Sequence, residues 1–390
     1  MPQIDFLVIG AGIAGVSIAS ELSAHASVAV IEREAAPVCH ATSRSTSNYI
    51  GSAGPALTRH LTAASRAFLL DPPDDFAAGP LLKRRGCMTL AGPAHVGRLP
   101  ARLIAWAECG IEARLIDADA ASRVIPSLNP AVVTAALFEP DAGDIDARGL
   151  LTGYVRRTIA RGATLRLMSE VVGISRLRRG WRVTLANHDT LEARVIVNAA
   201  GAWADAVARM AGGAPRGLQP RRQTAILVNM PEHVALADWP ILRDAADTYF
   251  CRPEAGGLLV SPRDDQPASA GDSSPDRRMI AMAVGRIQGA LSLSECSIRH
   301  AWAGLRTFAP DALPVFGYDA VLDDFFWFAG QGAWGVQTAP AAARLGAALA
   351  LRDNVPVDLA SRGVRRATIA PDRRYSPRQR AREAGVDHLT

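Results

Sequence analysis

The sequence has a single lysine, Lys83, among its 43 basic residues. Nearly all of the positive charge is therefore carried by arginines, and these are dispersed along the chain apart from residues 83–85 and 362–382. The formal net charge of +5 is not gathered into a basic stripe on any predicted element. Dispersed charge of this kind gives no support for a nucleic-acid partner.

Cysteine is scarce, and its spacing predicts neither a disulfide framework nor a zinc site. The five cysteines are odd in number, and no two of them are separated by only two residues. The eight histidines also lack the spacing of metal ligands. We therefore expect reduced thiols and no bound metal.

Long apolar runs are missing as well. No stretch of about 18 apolar residues occurs, and the N-terminus enters a predicted strand without a charged leader. These absences predict a cytoplasmic protein without an integral membrane segment. The 390 residues exceed the usual size of one core, and the hydrophobic content of 49% suits two packed domains.

What the sequence does contain is a dinucleotide-binding pattern at its N-terminus. An apolar run leads into Gly10, Gly12 and Gly15, and the next apolar run, residues 28–31, ends at Glu32. This order predicts a strand, a glycine turn, a helix, a second strand and an acid. Gly10 permits the tight turn, Gly12 lets the backbone approach a pyrophosphate, and Gly15 lets helix and strand pack closely. Glu32 would accept hydrogen bonds from a ribose diol.

Four later segments extend the pattern across nearly the whole chain. They are a small, polar stretch at 41–49, a strand with a small-residue turn at 194–203, the segment 301–308, and a strand, glycine turn and helix start at 325–338. In this order they resemble the flavoprotein family of D-amino acid oxidases, glycine and sarcosine oxidases and D-amino acid dehydrogenases. The bacterial FAD-dependent D-arginine dehydrogenase type is the most similar.

The resemblance implies that FAD is bound, and bound non-covalently, because residues 307–318 lack the flavin-linked cysteine that sarcosine oxidases carry there. A helix N-terminus near residue 335 would stabilise the anion that forms when flavin is reduced. The residues that the resemblance assigns to the cofactor are Gly10, Gly12, Ile13, Ala14, Gly15, Glu32, Arg33, Thr42, Ser43, Arg44, Ser45, Val171, Ala200, Gly201, Trp203, Arg306, Gly332, Ala333, Trp334, Gly335, Val336 and Gln337.

The predicted fold is α/β, with a Rossmann-like FAD-binding domain and a second domain built on a mixed or antiparallel sheet. The second domain would bind the substrate, since its segments show short alternating apolar runs. The predicted boundaries are 1–85, 141–215 and 301–375 for the FAD domain, 86–140 and 216–300 for the substrate domain, and 376–390 for a basic tail.

Two arginines are candidates for binding a substrate carboxylate, because a planar guanidinium can bind both carboxylate oxygens. Arg306 lies where the family places its carboxylate-binding arginine, and Arg222 is the second candidate by resemblance. Tyr249 or Phe250 would supply an aromatic wall, with one residue of register undecided.

Three positions depart from the D-arginine dehydrogenase type. Cys87 occupies the position where that type has an acid that pairs with the cationic side chain of the substrate. Asn48 and Ala53 replace a histidine and a lid tyrosine of that type. An unpaired cation in such a pocket is strongly disfavoured, so we expect basic amino acids to be poor substrates.

We therefore expect FAD-dependent oxidation of the C–N bond of a non-basic D-amino acid to an imine, by hydride transfer to flavin N5. A secondary amine, a cyclic imino acid or a biosynthetic intermediate is the alternative substrate, and a low-turnover flavin-binding regulator is the alternative function. Since Lys83 lies outside the expected flavin-lining segments, a quinone or respiratory carrier is favoured over O2 as electron acceptor.

Overall fold

The computed structural model describes residues 4–37, 39–231, 234–293 and 296–375. The predicted basic tail, 376–390, lies outside the described residues. Within them, no helix is both long enough and apolar enough to cross a bilayer.

The strands are β1 (Ile4–Ile9), β2 (Val28–Ile31), β3 (Asn48–Tyr49), β4 (Leu82–Arg84), β5 (Cys87–Ala91), β6 (Arg114–Asp117), β7 (Ala135–Glu139), β8 (Gly143–Ile145), β9 (Thr164–Arg166), β10 (Val171–Arg176), β11 (Trp181–Leu185), β12 (Thr190–Asn198), β13 (Gln219–Asn229), β14 (Ile241–Asp244), β15 (Phe250–Glu254), β16 (Gly257–Ser261), β17 (Gln266–Pro267), β18 (Ser297–Phe308), β19 (Val315–Tyr318) and β20 (Phe325–Ala329). The α-helices are α1 (Ile13–Leu22), α2 (Ala56–Leu70), α3 (Leu99–Ala107), α4 (Ala118–Val124), α5 (Ala147–Ala160), α6 (Ala204–Met210), α7 (Arg277–Leu291), α8 (Gly335–Ala350), α9 (Val357–Ser361) and α10 (Arg366–Ile369).

The first sheet has a parallel centre in the order β9-β2-β1-β12-β20. Strand β19 extends it antiparallel to β20, and the β10-β11 pair joins the first half of β12. Alternate residues of β1 enter two different cores. Phe6 and Val8 pack with α1, α5 and α8, whereas Leu7 and Ile9 pack with α6. A parallel sheet covered on both faces is the predicted α/β arrangement, so the fold class is confirmed.

The second sheet is mixed, in the order β6-β7-β5-β14-β15-β16-β13, with β17 and β18 also paired to β13. Only β5 and β14 run parallel. One face of this sheet, with Met88, Ile226 and Cys251, packs on α7 and is called the outer face. Because side chains alternate along strands, Gln223, Ala225 and their cross-strand partners lie on the opposite, inner face.

A small third sheet has the order β3-β8-β4, and its strands alternate along the chain with strands of the first and second sheets. The predicted domain boundary at residue 301 falls inside β18, which pairs with β13 from Gln219 opposite Phe308 to Asn229 opposite Ser297. The start of the third FAD-domain segment therefore belongs to the second sheet by its hydrogen bonds. The assignment of separate cofactor and substrate domains remains a proposal.

A buried carboxylate helps to join β19 to β20. Asp319 accepts hydrogen bonds from Trp327 Nε1, at 2.9 Å, and from Arg216 Nη2. Its side chain is 1% exposed. Burial favours the neutral acid, but the hydrogen bonds from Trp327, the Val321 N–H and Arg216 outweigh burial and lower the pKa of Asp319.

We predict that Asp319→Asn lowers the free energy of unfolding by about 3 kcal/mol at pH 7, because it leaves Arg216 without its counter-charge. A lowered pKa stabilises the fold above the unfolded value of about 4, and that contribution disappears as the pH falls through the folded value. Urea titrations should therefore show the gap between wild type and variant narrowing below about pH 4. A gap that does not change with pH would contradict this assignment. Asp358→Asn, at the exposed pair with Arg344, is the control and should cost under about 1 kcal/mol.

Candidate cofactor and substrate site

A cavity of about 270 Å³ lies at the carboxyl ends of the parallel strands β1, β12 and β20. In a doubly wound sheet this edge is where a dinucleotide binds. Most of the predicted cofactor residues line it: Gly10, Gly12, Ile13, Ala14, Glu32, Arg33, Thr42, Arg44, Ser45, Val171, Ala200, Gly201, Trp203, Arg306, Gly332, Ala333, Gly335 and Val336. Gly15, Ser43, Trp334 and Gln337 do not line it.

The three glycines of the N-terminal turn have different surroundings. Gly10 has a φ of +105°, and a Cβ there would lie 2.7 Å from the Ala199 carbonyl oxygen. A Cβ at Gly15 would lie 1.7 Å from the Gly10 carbonyl oxygen. At Gly12 a Cβ would meet only Thr42 Oγ1, at 3.5 Å. The fold itself therefore requires glycine at 10 and 15, while the space beside Gly12 faces the cavity.

The polar groups at this turn suit the ADP half of FAD. Helix α1 has no side-chain cap at Gly12, and the Ile13 N–H donates to Thr42 Oγ1 at 3.1 Å. The carboxylate of Glu32 accepts from the Ala11 N–H at 2.7 Å and from the Glu34 N–H at 3.1 Å. These bonds fix Glu32 in the cavity wall, where it can accept from a ribose diol. The helix N-terminus favours a phosphate beside it.

A cationic and aromatic wall adjoins Glu32. The guanidinium of Arg33 lies 4.2 Å from the ring centre of Trp203, and the His40 ring lies 4.8 Å from it. His40 Nε2 is 2.9 Å from Glu34 Oε1. Hydrogen bonds from His40 and Arg33 lower the pKa of Glu34. His40 lines the cavity but was not predicted, because a lone histidine in a loop carries no motif.

At the other end of the cavity, helix α8 begins without a side-chain cap at Trp334. Gly332, Ala333 and Val336 line the cavity there, and Gln331 Nε2 is buried with no partner among the described residues. A helix N-terminus and an unpaired amide donor suit the polar pyrimidine edge of a flavin. The residues at both ends of the cavity therefore fit FAD.

Gln337 has a structural role in the described fold. Its Oε1 accepts from the Ile50 N–H at 3.1 Å, and its Nε2 donates to Thr62 Oγ1 at 2.8 Å. These bonds hold α8 against α2 and the chain before it, and Gln337 does not line the cavity. Trp334 likewise packs against Gly54 and Phe308, outside the cavity lining.

Arg306 is a largely buried cation that lines the cavity, where a ligand can reach it. It lies on the inner face of β18, and its side chain is 11% exposed. Nη2 donates to Asp265 Oδ1 at 2.9 Å, while Nε is buried without a partner among the described residues. Burial lowers the pKa of Arg306 to about 10, so the guanidinium stays charged at neutral pH. A desolvated guanidinium of this kind can bind a carboxylate.

The structure does not bring Arg222 together with Arg306. Gln223 and Ala225 line the cavity. Since side chains alternate along β13, the side chain of Arg222 lies on the outer face. Arg222 Nη2 donates to Asp276 Oδ2 at 3.1 Å, and its Nε lies 3.7 Å from Asp264 Oδ2. The interpretation of Arg222 as a carboxylate ligand is therefore not supported by its position.

The other predicted pocket residues also lie outside the cavity lining. Tyr249 packs in the outer-face core, so of the two aromatic candidates only Phe250 is on the inner face. Cys87 is buried beside Ile50, and burial raises the pKa of its thiol to about 12. Asn48 is in β3, opposite Asp144.

Sequence analysis also did not identify Arg252, which lies on the inner face. Arg252, with a side chain 10% exposed, donates from Nη2 to the Thr46 carbonyl oxygen at 3.1 Å. Trp302 Nε1 makes a similar bond to the Arg44 carbonyl oxygen at 3.2 Å. These two bonds hold the polar stretch 41–49, which we call the polar loop of the cofactor cavity, against the second sheet. Arg252 could have been found by alternation, since it is two residues from Phe250 on the same strand.

Comparison with known proteins gives a matching family model and several related proteins. The family model described as "DAO: FAD dependent oxidoreductase" matches residues 5–349. Hydrogen cyanide synthase subunit HcnC of Pseudomonas aeruginosa is 26% identical over 258 residues, covering 64% of this chain and 58% of that protein. Human mitochondrial dimethylglycine dehydrogenase is 27% identical over 224 residues, covering 53% of this chain and 26% of that protein. The matches thus span less than two thirds of either relative.

A solved structure extends the likeness over nearly the whole chain. Glycine oxidase from Geobacillus kaustophilus superimposes with a TM-score of 0.83 and 20% identity, covering 96% of this chain and 100% of that one. At this identity the match shows a shared fold.

We predict that Gly12→Ala folds like the wild type but weakens FAD binding by about tenfold to a hundredfold, because its methyl group enters the space beside the phosphates. FAD affinity is measured by flavin fluorescence and folding by thermal unfolding without added FAD. Gly15→Ala is the matched control, and it should lower stability by about 2 kcal/mol or more. Equal FAD affinity in Gly12→Ala and wild type would place the pyrophosphate elsewhere.

Proposed function

The chain belongs to the DAO family of FAD dependent oxidoreductases, and from this premise we propose that it oxidises the C–N bond of a neutral, carboxylate-bearing amino acid. Non-basic D-amino acids are the leading substrate class. The observation that carries the proposal is Arg306, a buried cation that lines the same cavity as the cofactor residues. The D configuration rests on the resemblance to D-amino acid oxidases and dehydrogenases.

The proposed role of Arg306 is to orient the substrate through its carboxylate. A fork of N–H donors fixes a carboxylate in one plane, and lysine cannot reproduce that geometry. FAD, when bound, supplies the electron acceptor for the oxidation. The protein then has to hold the substrate C–H in place and keep water out. The imine product would hydrolyse to a keto acid and ammonia.

Among the described residues that line the cavity near Arg306, we identify no side chain that would accept a proton from the amine. The acids that line the cavity in the described residues, Glu32 and Glu170, adjoin the strand ends and loops of the ADP half. The remaining lining near Arg306 includes Gln223, Ala225 and Gly332, which do not titrate. We therefore propose that the substrate amine enters in its neutral form.

The preference for a neutral side chain rests on charge pairing. Asp144 is bound by Arg85 at 2.8 Å and lies 3.4 Å from Arg252. Glu139 accepts from Ser52 Oγ and from the Gly51 N–H at 2.7 Å. Asp144 of β8 and Glu139 of β7 thus already have partners. A cationic substrate side chain would be desolvated there without compensation.

A secondary amine is the second candidate substrate. The similarity to mouse mitochondrial sarcosine dehydrogenase, 26% identical over 234 residues, favours it, since sarcosine is N-methylglycine, a secondary amine. Such a substrate also carries a carboxylate, so Arg306 would have the same role for it.

For the electron acceptor we propose a quinone or respiratory carrier. Lys83, the single lysine of the sequence, is exposed on β4 and lies outside the cavity lining, so it is not placed to contact a flavin bound there. Rapid reoxidation of the reduced protein by O2, faster than by a soluble quinone, would contradict this proposal.

We predict that neutral D-amino acids or N-methylglycine bleach the flavin under anaerobic conditions at least about tenfold faster than D-arginine or D-lysine. The reason is the missing counter-charge for a cationic side chain. Stopped-flow absorbance with each compound measures the rates and separates the two candidate classes. Faster reduction by D-arginine than by every neutral compound would refute the charge argument, and no reduction by any amine would favour a regulator.

We predict that Arg306→Lys lowers kcat/KM for a carboxylate substrate by about a hundredfold or more, with FAD content unchanged, because the bidentate contact is lost. Arg222→Lys is the matched comparison on the other face of the same pair of strands. It should change kcat/KM by less than about threefold. A larger loss in Arg222→Lys than in Arg306→Lys would make Arg222 the carboxylate ligand.

A further inference from the structure

The segment between β16 and α7, which includes the short strand β17, lies beside the cavity and makes three arginine–aspartate pairs. We call residues 264–276 the aspartate loop. Arg306 binds Asp265 at 2.9 Å, Arg222 binds Asp276 at 3.1 Å, and Arg44 binds Asp272. The three aspartates belong to the loop, and the three arginines belong to β13, β18 and the polar loop of the cofactor cavity.

The aspartate loop reaches the cavity itself. Gly271 is one of the lining residues, as are Arg44 and Arg306. Arg44 Nη1 also donates to the Ser273 carbonyl oxygen at 3.4 Å and to the Ala303 carbonyl oxygen at 3.2 Å. The loop therefore forms part of the wall beside the substrate end.

The Asp265 pair differs from the other two because it engages the arginine that we propose for substrate binding. Arg306 is 11% exposed, whereas Asp265 is 43% exposed. The carboxylate thus comes from the solvent side and takes one nitrogen of the guanidinium, Nη2, while the buried Nε has no partner among the described residues. A substrate carboxylate that binds Nε and Nη2 would bring a second negative charge next to Asp265, so the two carboxylates would compete for the same cation.

We propose that Asp265 competes with the substrate carboxylate for Arg306. This inference rests on the proposed function, because it needs Arg306 to be the carboxylate ligand. Without substrate, Asp265 supplies a counter-charge to a desolvated cation. When substrate binds, its carboxylate displaces Asp265, and the apparent affinity for substrate is lowered in proportion to the fraction of molecules in which Arg306 is free.

The test uses isobutyrate, which has the carboxylate of a small amino acid but no amine to oxidise, and its uncharged amide. Binding to the FAD-loaded protein is followed by the shift in flavin absorbance. Asp265→Asn should tighten the dissociation constant for isobutyrate roughly fivefold to tenfold, the effect of removing one partly exposed ion pair. The amide should bind wild type and variant equally. Asp265→Ser should behave like Asp265→Asn, which guards against an effect of the new amide.

Asp272→Asn is the matched control, because it removes another ion pair of the same loop but leaves Asp265 on Arg306. It should leave the dissociation constant for isobutyrate at the wild-type value. Tightening in Asp272→Asn equal to that in Asp265→Asn would overturn the proposal, since loop release would then explain the effect.

Arg306→Gln separates this proposal from the function on which it rests. If Arg306→Gln abolishes isobutyrate binding while Asp265→Asn leaves it unchanged, the competition is refuted and the carboxylate role of Arg306 stands. If Arg306→Gln binds isobutyrate as the wild type does, both proposals fail.

Discussion

The contact between the glycine turn and the end of β12 determines the rest of this structure. Gly10 adopts a φ of +105°, and any side chain there would collide with the Ala199 carbonyl. This close approach brings the carboxyl ends of β1 and β12 together and aims helix α1 at the space between them. Because β20 pairs with the other side of β12, the Gly330–Gly332 turn opens into the same space. The cavity is a consequence of these three strand ends.

Charge pairing determines what the cavity can accept. With one lysine in the chain, arginine provides the positive partner for buried carboxylates such as Asp264 and Asp319. Arginine suits this role because its planar group can bind several acceptors while partly buried. Arg306 is the member of this set that lines the cavity and also keeps a buried nitrogen unpaired. The charge that remains available for a ligand is thus positive, which is why we propose an anionic, non-basic substrate.

The cofactor half of the site was predictable from sequence because it depends on local rules. A glycine turn between a strand and a helix, followed by an acid, positions its own atoms, and Gly10, Gly12 and Glu32 all line the cavity. The substrate half was less predictable because it depends on which face of a strand a residue occupies. A shift of one residue reverses that face, and this is the difference between Arg222 and Gln223, or between Tyr249 and Phe250. The aspartate loop and His40 gave no periodic signal, since their positions follow from contacts between distant segments.

The account depends on one claim, that FAD and a carboxylate ligand share this cavity and meet at Arg306. A crystal structure of the FAD-loaded protein with isobutyrate would test it most directly. The account predicts an FAD extended from Gly12 to Gly332 and a carboxylate about 2.8 Å from Nε and Nη2 of Arg306, with Arg222 still bound to Asp276. A carboxylate bound to Arg222 or Arg252, with Arg306 still paired to Asp265, would contradict it.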